Sequence, residues 1–202
     1  MRVVSAVVCV AMLASAAQAV IFSDDFESYA DTAAMLAPGA WGDDASSDAP
    51  ASLSVGFGNP GDSMWHPGGK TAKHVISPLY ASDAQPIVLE GDLWSDGAGN
   101  KRMSIGLRDN GGGAGLNSIL EMGIYNSSVD PTDGLTKSGF SFRTVFIDGN
   151  PGNWVYLGAG DTAGWHHMKA TIGETNILVE LDLGDDGTVD HSQNIAIADP
   201  DH

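Results

Sequence analysis

The chain has 202 residues, 26 of them acidic and 9 basic, and a formal net charge of −17. That charge argues against nucleic acid and anionic membrane as partners, since both repel an acidic surface. It suits solubility outside the cell, and it attracts divalent cations.

Arg2 is followed by an apolar run over residues 3–17 and by Ala17-Gln18-Ala19, a small-x-small cleavage site. Residues 1–19 therefore read as a secretory signal peptide. The run is short for a transmembrane helix and no second one follows, so no membrane span is expected. The only cysteine, Cys9, lies inside this segment. It does not read as a lipoprotein cysteine, because the apolar run continues beyond it. Cleavage after Ala19 leaves 8 basic and 26 acidic residues, a charge of −18, and no cysteine. Such a chain, secreted or held at the cell surface, has no disulfide and must rest on its core. Residues 20–202 suit one domain.

Short strand-like runs follow at 20–22, 53–57, 71–76, 87–94, 102–108, 119–125, 140–147, 154–157, 166–172, 177–183 and 188–197. Turn residues separate them, among them Asn59-Pro60-Gly61, Asp96-Gly97, Asp133-Gly134 and Asp186-Gly187. One short helical turn is expected near 32–36. Many short strands with regular turns predict an all-β, two-sheet antiparallel sandwich.

Side chains alternate faces along a strand, so parity sorts each run into a core side and a solvent side. The core side takes Ile87, Leu89 and Leu93, then Met103, Ile105 and Leu107, then Leu120, Met122 and Ile124. Phe140, Phe142 and Phe146 join it, with Met168, Ala170 and Ile172. The opposite side takes Glu90, Asp92, Trp94, Arg102, Arg108, Glu121, Tyr125, Arg143, Trp165, His167 and Lys169. His166 and His167 are adjacent, so they point to opposite faces and do not converge on one ion.

Two stretches resemble a known family. Trp165-His166-His167-Met168, followed about a dozen residues later by the aliphatic run 178–183 and Asp186-Gly187, is similar to the hallmark of laminin-G-like domains in the concanavalin A-like lectin/glucanase superfamily. SDDFESY at 23–29 looks like the opening strand of secreted bacterial members. The resemblance implies a jelly-roll sandwich whose first strand pairs with its last. Only four residues follow the last run, 194–198, so the chain reads as a truncated member or one that closes with 188–197. The fold serves lectins, adhesion modules and glycan-cleaving enzymes alike, so it implies no single activity.

The outward set mixes aromatic rings with charge, as a sugar site requires: rings stack on the apolar side of a pyranose, and planar charged groups bond its hydroxyls or carboxylates. Trp94, Arg108, Glu121, Tyr125, Arg143 and His167 are the expected ligand-binding cluster, on one sheet, for an extracellular glycan or polysaccharide. The competing reading is a solvated face of cross-strand ion pairs such as Arg108 with Glu121. No catalytic residue is assigned. A glucanase would resemble its family in a Glu-x-Asp-x-x-Glu strand, and Glu90-Gly91-Asp92 supplies only two of the three carboxylates. A polysaccharide lyase would use Tyr125 with Arg108 or Arg143, yet Glu121-Met122 stands where that family's strand carries Lys. A purely structural surface protein is the remaining alternative. For metal, Asp182, Asp186 and Asp190 stand in the register of a calcium loop. Gly184 and Gln193 depart from it, and a hairpin turn is the other reading.

Overall fold

The computed structural model describes residues 22–42, 51–66, 72–77, 79–99, 102–109, 118–145 and 152–197. The expected signal peptide, Cys9 and Phe146 lie outside them. Ten strands form among the described residues: β1 (Ser52–Gly58), β2 (Gly61–Trp65), β3 (Ile87–Asp96), β4 (Arg102–Asp109), β5 (Ser118–Val129), β6 (Thr136–Val145), β7 (Val155–Tyr156), β8 (Ala163–Ile172), β9 (Asn176–Leu183) and β10 (His191–Ala196). A short helical turn, α1 (Thr32–Met35), starts at Asp31, whose Oδ1 accepts the amide of Ala34 at 2.8 Å.

Two four-stranded sheets make the sandwich. One runs β10-β9-β8-β3 and the other β4-β5-β6-β7; a separate hairpin pairs β1 with β2. Pairing is antiparallel apart from one parallel contact of β5 with β7 at Val129 and Val155. The inner faces are those that parity assigned to the core. Leu120, Met122, Ile124, Phe140 and Phe142 from one sheet pack into a single cluster with Leu93, Met168, Ala170, Val179 and Leu181 from the other. Met168, Met122 and Phe140 are fully buried. Each such side chain contributes about 1.5–3 kcal/mol over exposure to water.

His166 shows how tightly the sheets close. It is 2% exposed and meets the Phe140 ring edge-on at 4.8 Å. Its Nε2 donates to the Thr162 carbonyl at 2.9 Å, and its Nδ1 accepts the Gly184 amide at 3.1 Å. A polar ring is tolerated in the core because both nitrogens are satisfied. At Gly139 the 157–160 segment crosses the strand: Phe140 N donates to Ala159 O at 2.9 Å, and a Cβ at 139 would lie 2.2 Å from that same carbonyl. Only glycine permits the approach.

Three expectations are corrected. Residues 23–29 form a turn rather than an opening strand. The Asp24 carboxylate folds that segment onto itself, accepting Phe26 N at 2.8 Å, Tyr29 Oη at 2.6 Å and Trp41 Nε1 at 2.7 Å. Burial, and then the bond and charge of Asp24, push the Tyr29 hydroxyl up to about 12. Consequently β10 has no partner beyond β9 among the described residues, and no first-to-last strand pairing occurs there. Of the run expected at 71–76, the described residues 72–76 form no strand: Lys73 makes an isolated bridge with Gly42, and His74 stacks on Phe22 with ring centroids 4.2 Å apart. Conversely, Gly61–Trp65 is a strand that its glycine and aspartate disfavour. It is held by β1 and by Glu27, whose Oε1 accepts the Asp62 amide at 2.6 Å.

Candidate functional site

The six expected ligand-binding residues face solvent, but they do not share a sheet. Trp94 on β3 and His167 on β8 lie on one; Arg108 on β4, Glu121 and Tyr125 on β5, and Arg143 on β6 lie on the other. Outer faces of the two layers of a sandwich point away from each other, so the expected single cluster is two separate ones. Alternation identified the faces correctly, but it carries no information about which strands become neighbours.

The β4-β5-β6 face is an ion-pair network. Glu121 gathers all three arginines that follow Arg2. Its Oε2 accepts Arg102 at 2.8 Å and Arg143 Nε at 2.9 Å, and its Oε1 lies 3.8 Å from Arg108. Burial pushes the Glu121 carboxyl up, but hydrogen bonds from Arg143 and Arg102, backed by their charges, outweigh it and hold the group below the ordinary glutamate range. Beneath the guanidinium groups lies Trp154, which is buried. Arg102 and Arg143 each sit 5.4 Å from its ring, and Tyr125 stacks on it at 4.8 Å. The aromatic surface here is covered by the protein's own cations.

The β3-β8-β9 face differs. Cross-strand register lays three rungs across it. Trp94 stands opposite Trp165; Asp92 opposite His167, which is opposite Asp182; Glu90 opposite Lys169, which is opposite Glu180. The β1–β2 hairpin folds over the aromatic rung, and Phe57 meets Trp94 at 5.1 Å and Trp165 at 5.9 Å. The two tryptophans are 5.7 Å apart, edge to face. Trp94 stays 38% exposed and Phe57 47%, so the rings present surface to solvent.

Beside them is a cleft of about 320 Å³, lined by Glu90, His167, Lys169, Glu180, Asp182 and Asp185 among others. His167 Nδ1 lies 2.7 Å from Asp92 Oδ1, and its Nε2 lies 3.9 Å from Glu90 Oε2. Asn59, from the hairpin turn, donates through Nδ2 to both Asp92 and Asp185. Phe57, Asn59 and Asp185 are the functional candidates that the sequence reading passed over. All three come from the hairpin or from a turn, and no local pattern announces where those dock.

Asp182 is the second-last residue of β9, and Asp186 and Asp190 fall in the turn between β9 and β10. Asp182 accepts Asp186 N at 3.1 Å and Gly187 N at 2.7 Å; Asp190 accepts Leu183 N at 2.7 Å, and Asp186 accepts Thr188 N at 2.9 Å. Antiparallel pairing of β9 with β10 makes this a hairpin turn, and these carboxylates bond its own backbone. No family model, no curated protein and no solved structure matches the chain.

Proposed function

We propose that this chain is an exported, non-catalytic binding module for extracellular carbohydrate, of the concanavalin A-like, laminin-G-like jelly-roll type. One observation carries the reading. The exposed Trp94, with Phe57 of the hairpin against it, stands one rung along the β3-β8 face from His167, which lines a cleft rich in carboxylates. A pyranose needs that pairing, an apolar ring face to stack on and acceptors for its hydroxyls. The hallmark residues Trp165-His166-His167-Met168 lie on β8, within the same sheet. The lyase alternative loses support on the opposite face, where Arg143 is bonded to Glu121 and Tyr125 is stacked on Trp154.

Retention on an array of extracellular polysaccharides tests the reading. Trp94→Ala and Phe57→Ala should each weaken retention about tenfold, the loss of one stacking contact of roughly 1–1.5 kcal/mol. Tyr125→Phe, on the other face, should bind like wild type. Wild-type retention by Trp94→Ala, or no retention of any glycan by the wild type, would overturn the assignment.

A further inference from the structure

We propose that Asp92, His167 and Asp185 bind a divalent transition-metal ion of the zinc type. Each offers one donor atom, and the three atoms lie within 4.8 Å of one another. Donors around a tetrahedral zinc stand about 3.4 Å apart, given bonds of about 2.0–2.1 Å, so small side-chain rotations close the set. Two of the three are fixed by the sheet itself: Asp92 and His167 are directly opposed in the β3–β8 register. Asp185 reaches them from the β9–β10 turn.

Charge supplies a second argument. The cleft and its rim hold five carboxylates, those of Glu90, Asp92, Glu180, Asp182 and Asp185, with the Lys169 ammonium among them. Asn59 already occupies the gap between Asp92 and Asp185 with an amide N–H, a weak stand-in for a cation. A divalent ion neutralises the pair far more completely.

The donor chemistry selects the ion. Calcium and magnesium take oxygen-only sets, whereas an imidazole with two carboxylates suits zinc and its neighbours. His167 points Nδ1 at Asp92, 2.7 Å away, and the Glu90 carboxylate stands 3.9 Å from Nε2, close enough to become the outer partner that metal-bound histidines have. Three protein donors leave a fourth position for solvent. The donor set differs from Asp182, Asp186 and Asp190, although Asp185 comes from the same β9–β10 turn, and the proposal goes beyond the carbohydrate reading, because metal uptake is measured without any sugar.

The test uses tag-free full chain stripped with chelator and titrated with zinc chloride by calorimetry, with thermal melts in parallel. Wild type should take up one zinc per chain and melt higher with zinc than without. His167→Ala and Asp185→Asn should each weaken uptake at least tenfold while melting like wild type in chelator. Glu174→Gln, at a remote exposed turn, should bind like wild type. Absence of stoichiometric uptake overturns the proposal, as does uptake unchanged in both His167→Ala and Asp185→Asn. Uptake lost in Asp190→Asn but kept in His167→Ala would place the ion in the turn, and effective competition by equimolar calcium would refute the transition-metal assignment.

Discussion

Replacing Glu121 by Gln removes one charge from the centre of the arginine network and keeps its shape. The Arg143 bond is the best sheltered, with Arg143 20% and Glu121 14% exposed; charge-assisted bonds of that kind contribute about 1.5–2 kcal/mol. Arg102 is half in solvent and adds about 0.5 kcal/mol, and Arg108 at 3.8 Å adds close to nothing. A glutamine oxygen still accepts one bond, so the net loss should be roughly 1.5 kcal/mol, or about 3–6 °C in melting temperature for a domain of this size. The effect has a pH signature. The folded carboxyl is held below its unfolded value, so its stabilisation is complete above about pH 4.3 and is lost as pH falls through the lower, folded value. Urea unfolding of both proteins at neutral pH and near pH 3 measures it: the stability gap should be present in the first and shrink in the second. A Gln variant as stable as wild type at neutral pH would refute the reasoning, and so would a gap that persists undiminished in acid.

Met168→Ala opens a cavity between the sheets at a fully buried position and should cost about 2–5 kcal/mol in chemical denaturation. His166→Ala strands the Gly184 amide and the Thr162 carbonyl. We expect a loss of about 2–3 kcal/mol and faster hydrogen exchange at Gly184; unchanged exchange there would contradict the bonding described. The Tyr29 hydroxyl, raised to about 12, should be among the last to ionise in an alkaline absorbance titration, and Tyr29→Phe should remove that late step. Because the folded state holds this proton more tightly, its contribution is complete below about pH 10 and fades as pH rises toward 12.

Alternation was a sound guide to faces and a poor one to neighbours. Met168 and Ala170 could be assigned inward, and Trp165 and His167 outward, because the two-residue period is written in the side chains themselves. Sheet membership is written in backbone hydrogen bonds, which carry no residue code. Trp94 and Arg143 therefore looked like candidates for one cluster and lie on opposite layers. The Arg108–Glu121 pairing was legible as one of two readings, since opposite charges on adjacent runs suggest it. Residues 23–29 look strand-like until Asp24 finds Tyr29 and Trp41, and the Trp41 contact is invisible locally. The place of Phe57 over Trp94 depends on how a separate hairpin settles on a finished sheet, which is tertiary packing beyond the reach of periodicity.

The order of strands also bears on how the molecule assembles. β4-β5-β6 and β8-β9-β10 are each runs of consecutive antiparallel neighbours, closed by short connections. β3 must wait for a partner far along the chain, since Ile87 pairs with Ile172. Non-local pairing of this kind bears the larger loop-closure entropy and is kinetically slow. Glu90, Asp92 and Trp94 all ride on β3. During folding the acidic cleft and its aromatic rung are thus expected to be completed late, after most of the core that supports them.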